Sequence, residues 1–294
     1  MLEIIKDDVR KIKPSFFKGV FAVIDLVGIS NDPSGEYFGD ITYEINNKSR
    51  IKTAKMAKSE GVSRYLLPSS CSVYGLRNEE EVDENSKTYP ISTYSKSNEQ
   101  AELGVLKLSD KNFTVVVLRQ ATVYGSSPRM RFDLVVNNMA YNAWANKKIQ
   151  LMRNGKQWRP LIHIYDLARA YLYILKLSSE DINGQIINIG SDNHNFQMQD
   201  LASNINKLLG GNLDIQWYGD PDMRSYKVSF KKFYQLGYKS EISLQKGVNE
   251  IINLLKKGDL TMNDKTLTLK WYKELDKWNK IISQTKLYDG ILEI

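Results

Sequence analysis

Short β-branched runs that alternate with longer helical patterns constrain this chain more than any other feature. Residues 21–27, 64–67, 113–118 and 185–189 are rich in Val, Ile, Leu and Phe and read as strands. Between them, residues 43–60, 94–108 and 165–177 repeat apolar positions at helical spacing. Strand, helix, strand in this order predicts a parallel sheet with helices on both faces, because parallel neighbours need a long crossover between them. After residue 189 the texture changes. Helical patterns at 198–209 and 243–257 flank two strand-like runs, 213–218 and 225–230, which are expected to pair. This divides the chain into residues 1–189, an α/β sheet domain, and residues 190–294, a smaller α/β lobe. A last helix over 266–282, carrying Trp271, Tyr272 and Trp278, is expected to pack across both.

Composition bounds the function classes. The chain has 294 residues, 42% hydrophobic and 26% charged, as a soluble globule does. Its formal charge of +7 is spread without a block of five or six like charges, so a nucleic-acid partner is not expected; the balance suits a phosphorylated small molecule as well. Cys71 is the only cysteine, which excludes an internal disulfide and fits a reducing compartment. The two histidines, His163 and His194, have no metal-ligand spacing, and no zinc site is expected. The first residues lack a basic lead followed by an apolar run, and no apolar stretch reaches the ~18 residues of a membrane span. A cytoplasmic protein with no membrane partner is the expectation.

Two segments carry chemistry. Ser70 lies in Ser69-Ser70-Cys71-Ser72-Val73-Tyr74-Gly75, and Tyr94 opens Tyr94-Ser95-Lys96-Ser97-Asn98. On a helix, Tyr94, Asn98, Ala101, Val105 and Leu108 share one stripe, whereas Lys96 lies roughly 200° around from Tyr94. None of the 18 glycines falls in a G-x-G-x-x-G or G-x-x-G-x-x-G spacing, the loop that brings backbone N–H groups and a helix N-terminus against a pyrophosphate. Cys71 has no histidine near it in sequence, so a thiol nucleophile carries little weight.

With these segments, Leu118-Arg119-Gln120-Ala121-Thr122-Val123-Tyr124-Gly125, the run 23–33, Arg159-Pro160-Leu161-Ile162-His163-Ile164-Tyr165-Asp166 and Asp222-Met223-Arg224-Ser225-Tyr226 make six stretches in the order of one family. The chain resembles the NAD-dependent epimerase/dehydratase family, extended short-chain dehydrogenases that act on nucleotide sugars. The resemblance implies a Rossmann-type doubly wound parallel sheet with a smaller substrate lobe. It places Met1 near the family's third strand, so that residues 2–5 would be that strand and the glycine loop would be missing: an N-terminally truncated sheet, from a fragment, a misplaced start or an adapted fold.

The resemblance also implies roles. Tyr94 would take the proton of a sugar hydroxyl as hydride leaves the same carbon for NAD, and Ser70 would orient that oxygen. Asn98 stands where the family has lysine, within reach of Tyr94 and a cofactor ribose. A free phenol with a pKa near 10 is ionised about once in a thousand at neutral pH, a deficit of about 4 kcal/mol, and an amide brings no charge to correct it. Another nearby cation is therefore needed. Asp8, Val27, Gly28 and Asn46 match cofactor-side positions, with Asp25 expected to turn an unhelpful anion toward the phosphates. Thr122, Asn138, Arg159, Arg224 and Tyr226 match the nucleotide-sugar side, where guanidinium forks suit a diphosphate. A homodimer is the family's usual state. The competing readings are an NAD-dependent epimerase or dehydratase, a nucleotide-sugar-binding protein without catalysis, and a chain completed by a separate N-terminal piece.

Overall fold

Four parallel strands form the central sheet of the structure, a computed structural model that describes residues 2–284, 286–288 and 291–293. Ala22–Ile24, Arg64–Ser70, Thr114–Gln120 and Gln185–Ile189 lie side by side in chain order. The middle two are buried almost throughout, and their side chains alternate between two cores. Tyr65, Leu67, Val115 and Val117 pack against Ala54, Ala57, Ala101 and Val105 of the helices Arg50–Ser59 and Thr93–Leu106. Leu66, Val116, Leu118 and Ile187 turn the other way, toward Ala170 and Ile174 of the helix Ile164–Ile174. The four strands read from the β-branched runs are all present. The expected helix over 43–60 is continuous but opens with a π-helical segment, Glu44–Ser49.

The sheet differs from expectation at its first edge. The run 21–27 keeps only three residues as strand, with Phe21 61% and Leu26 67% exposed. Residues 2–5 form no strand, and Leu2 is 87% exposed. Both follow from one cause: among the described residues no strand pairs with the free side of Ala22–Ile24, so nothing extends that edge or gives residues 2–5 a neighbour.

The two strand-like runs of the second lobe also find other partners than expected. Asp214–Tyr218 pairs in parallel with Lys148–Met152, and Ser225–Val228 in parallel with Leu76–Val82. They serve different cores. Ile215 packs with Ile149, Leu151, Val136, Leu201 and Val248, while Tyr226 and Val228 join Tyr74, Val82 and Phe230 beside the central sheet. A hairpin between them would empty one core to fill the other. The second-lobe core takes residues from both sides of position 189, and a three-stranded sheet of Thr122–Tyr124, Trp158–His163 and Asn195–Gln197 lies between the layers. Met1 and Ile294, the outer bounds of the two expected units, lie outside the described residues.

The last long helix runs over Thr268–Gln284. It meets the sheet-side segment through Tyr37, whose hydroxyl donates to Asp276 at 2.9 Å, and through Phe38 edge-on to Tyr272. Trp278, expected to pack, is exposed. Among the described residues no helix is long and apolar enough to cross a membrane.

Candidate active site

Local chemistry sets the Tyr94 helix in place. Ser92 caps Thr93–Leu106 by accepting from Ser95 N at 3.1 Å, and the Ser95 hydroxyl accepts from Ser92 N in return, a capping box worth about 1 kcal/mol. Gly35 lets the neighbouring helix Asp32–Phe38 approach: a Cβ there would stand 3.0 Å from Tyr94 Cβ. Ser70 ends the strand Arg64–Ser70, and its Oγ accepts from Ser72 N at 3.1 Å to open the next turn. Strand end and helix start thus face each other across the C-terminal edge of the sheet, the usual place for a ligand in such folds.

Ser70 and Tyr94 line a cavity of about 610 Å³ together with Thr122, Asn138, Arg159, Arg224 and Tyr226. Seven residues singled out from the sequence therefore share one space. On its far wall the two arginines form a compact ion cluster. Arg159 Nη2 donates to Asp222 at 2.7 Å; Arg224 donates to the same carboxylate from Nε at 2.8 Å and Nη2 at 2.7 Å, and its Nη1 reaches Asp32. Burial raises the Asp222 carboxyl, but hydrogen bonding by Arg224 and the charge of Arg159 outweigh it and hold the group below the usual carboxylate range. The Arg159 guanidinium lies over the Tyr226 ring at 5.1 Å, and burial pushes the Tyr226 phenol up to about 12. Asn138 is anchored to its surroundings, donating from Nδ2 to the Phe132 carbonyl at 3.1 Å.

Asp32 links the two walls. Besides Arg224 it accepts from the Ser92 hydroxyl, so the cap of the Tyr94 helix and the arginine cluster share one carboxylate. Its charge also bears on the phenol. Burial and then Asp32 push the Tyr94 phenol above its ordinary value, while hydrogen bonding by Ser70 and the charges of Arg50 and Arg131 pull it back part of the way.

Asn98, expected beside the reacting centre, is buried behind it. Its Nδ2 donates to the Tyr94 carbonyl at 2.9 Å and its Oδ1 accepts from Arg50 Nη1 at 3.0 Å. Lys96 is exposed on the opposite side, as the helical spacing predicts. The four cofactor-side residues lie outside the cavity. Asp8 folds back on its own segment, pairing with Arg10 at 2.6 Å, which holds its carboxyl at about 2. Asn46 pins the chain after the first strand, accepting from Ile29 N at 2.8 Å and donating to Ile29 O at 3.0 Å. Gly28 abuts that amide, since a Cβ would stand 3.3 Å from Asn46 Oδ1, and Val27 is exposed. Asp25 does not turn toward a phosphate site: it is buried, accepts from the Tyr65 hydroxyl at 2.6 Å and stands 3.5 Å from Arg50 Nε. Among the described residues there is no glycine cradle for the pyrophosphate of a dinucleotide, while Arg159 and Arg224 bring guanidinium donors to the cavity. Cys71 is buried beneath the site with its thiol pushed far up by burial, unsuited to act as a nucleophile.

Sequence reasoning missed Asp32, Arg50, Arg131 and Asp222. Asp222 stands two residues before Arg224, and a carboxylate so close to an arginine was a readable signal. Arg50 lies four after Asn46 on an inward stripe with Thr53, Ala54 and Ala57, where an arginine breaks the pattern. Nothing local marks Asp32 or Arg131.

The chain is 27% identical over 215 residues to the dTDP-D-glucose 4,6-dehydratase of Mus musculus, a match that covers 69% of this chain and 58% of that protein. It is 25% identical over 224 residues to a putative UDP-glucose 4-epimerase of Methanocaldococcus jannaschii, covering 74% and 71%. Against the curated dehydratases of mouse and human, the chain matches less than two thirds of the relative's length. Among solved structures, MoeE5 in complex with UDP-glucuronic acid and NAD superposes with a TM-score of 0.75 at 21% identity, covering 86% of this chain and 85% of that one, which establishes the shared Rossmann-type fold. Residues 6–190 match the NAD dependent epimerase/dehydratase family, and the chain belongs to that family.

Proposed function

We propose that the cavity binds a nucleotide sugar and that Ser70 and Tyr94 handle the proton of one of its hydroxyls, as the substrate side of an epimerase or dehydratase. The observation that carries this reading is the convergence of a serine, a tyrosine and two arginines from four distant segments on one cavity of about 610 Å³. Arg159 and Arg224 offer forked donors to a diphosphate, which would compete with Asp222 and Asp32 for them. Ser70 Oγ positions the sugar oxygen, and Tyr94 exchanges its proton. The curated relatives named above are a dehydratase and a putative epimerase, and the family is NAD-dependent by its description. NAD⁺, when bound, would supply the hydride acceptor; the described residues show no glycine cradle for its pyrophosphate, so none of them is assigned to hold it.

The test is turnover of a panel of UDP-, dTDP-, GDP- and CDP-sugars with NAD⁺ present, followed by NMR of the products. The expected result is conversion of at least one sugar, reduced about a hundredfold or more in Tyr94→Phe. Conversion unchanged in that variant would overturn the assignment. A second reading, nucleotide-sugar binding without turnover, is favoured by the position of Asp8, Val27, Gly28 and Asn46 outside the cavity. Binding of a sugar nucleotide with no conversion and no NAD⁺ binding would select it. The proposal extends to a cytoplasmic homodimer without nucleic-acid partners, which sedimentation of the purified chain checks.

A further inference from the structure

Arg50 is a buried cation whose carboxylate partner, Asp25, meets only one edge of the guanidinium. Its side chain is 4% exposed, at the start of the helix Arg50–Ser59 and against the ends of the first two strands. Its guanidinium gives its hydrogen bonds to neutral acceptors: Nη1 to Asn98 Oδ1 at 3.0 Å, and Nη2 to the Asp25 carbonyl at 2.9 Å and to the Pro68 carbonyl. The nearby carboxylate, Asp25, stands 3.5 Å from Nε, which makes no hydrogen bond, and Asp25 Oδ2 also receives the Tyr65 hydroxyl. The strongest arrangement for a buried guanidinium is a fork onto a carboxylate, which Arg50 does not make. This guanidinium is aimed at Asn98, whose other end grips the Tyr94 carbonyl at 2.9 Å.

We propose that Arg50 is the cation that serves Tyr94 in this chain, standing behind Asn98 and doing from the neighbouring helix what a lysine at position 98 would do directly. The inference rests on the reading of Tyr94 as the proton-transfer group. Arg50 is a positioning residue: it acts on the phenol through its field and through the amide that fixes the helix turn. The other groups around the phenol are accounted for. Burial and the Asp32 charge from the Asp32–Phe38 helix raise it; the Ser70 hydroxyl and Arg131 lower it, as Arg50 does; and Tyr171, from the helix Ile164–Ile174, adds a neutral neighbour whose own phenol burial pushes up. Without Arg50 the balance would move further from ionisation at neutral pH.

The test uses the full chain with a single fluorinated tyrosine at position 94, titrated by fluorine NMR. It needs neither dinucleotide nor sugar. Arg50→Gln, which keeps hydrogen-bond donors but removes the charge, should weaken the phenol's ionisation roughly tenfold or more, and Arg50→Lys should restore it. The same titration curve in parent and Arg50→Gln would overturn the proposal, as would a failure of Arg50→Lys to differ from Arg50→Gln. If Arg50→Gln does not fold, the paired change Asp25→Asn with Arg50→Gln is compared with Asp25→Asn alone, and the difference between the two curves isolates the Arg50 charge. A clear shift in a chain that converts no sugar nucleotide would sink the functional reading and leave the electrostatic one standing. Turnover without the shift would do the reverse.

Discussion

Two buried arginines meet the Tyr94 helix one turn apart and are satisfied in different ways. Arg119, on the strand Thr114–Gln120, meets it at Glu102: Nε lies 3.2 Å from both carboxylate oxygens, Nη2 is 2.7 Å from Oε2, and Nη1 donates to the Tyr74 hydroxyl. Arg50 meets it at Asn98 and donates to an amide oxygen instead. The first pair is neutral and closed; it locks strand to helix. The second arginine meets its carboxylate, Asp25, only at Nε and at 3.5 Å, and turns its other donors to neutral acceptors, one of them the amide that holds the Tyr94 carbonyl. The difference teaches that burial alone does not mark a structural arginine. What separates the two is whether a carboxylate closes the fork.

The comparison can be broken most forcefully at Glu102. Glu102→Ala leaves the Arg119 charge buried without its partner and should cost about 3–5 kcal/mol of stability in urea denaturation. A loss under about 1 kcal/mol would mean that the closed pair is no more structural than the open one. Next comes the cavity wall. Arg224→Ala removes charged hydrogen bonds to a diphosphate and should weaken nucleotide-sugar binding by about 1.5–3 kcal/mol, while folding midpoints move less. Equal effects on both would place Arg224 with Arg119, as a brace.

A pH series separates these pairs from the rest of the molecule. Burial lowers both imidazoles, His163 and His194, below their ordinary 6.5, although Glu250 and Asp166 partly oppose this at His163 and Asp166 at His194. The unfolded chain therefore takes up protons first. Stability should fall as pH drops through 6.5 and go on falling until the folded-state values are passed. Neither histidine contacts Arg50 or Arg119, so His163→Gln should flatten that slope without touching the Tyr94 titration. The smallest effect is expected at Lys96. Exposed and turned away from Tyr94, Lys96→Ala should change stability by less than about 0.5 kcal/mol and leave turnover unaltered. A large loss of turnover would return the catalytic cation to this helix.

Much of this arrangement was legible in the sequence. Unbroken β-branched runs and period-3.6 patterns located the central strands and their helices, because a sheet buried on both faces has near-continuous apolar strands. That Ser70, Tyr94, Arg159 and Arg224 would share one site was implied by the family resemblance, and all four line the one cavity. The strands 214–218 and 225–228 were expected to pair because they are neighbours in sequence, whereas the choice of partner depends on which core each side chain enters. Asp25 was expected to face a phosphate, and the fold turns it inward onto Tyr65 and Arg50. Arg50 itself was missed because its importance lies in a contact 48 residues away, with Asn98, that no local pattern records. Both errors concern charges whose partners come from other segments.

The most direct measurement is calorimetric titration of the purified chain with UDP-, dTDP-, GDP- and CDP-sugars, alone and with NAD⁺, beside Arg159→Ala and Arg224→Ala. Saturable binding of one nucleotide sugar to the parent, weakened about tenfold or more in both variants, is the result this account predicts. A folded parent that binds none of them, or binds one equally well without either arginine, would contradict it.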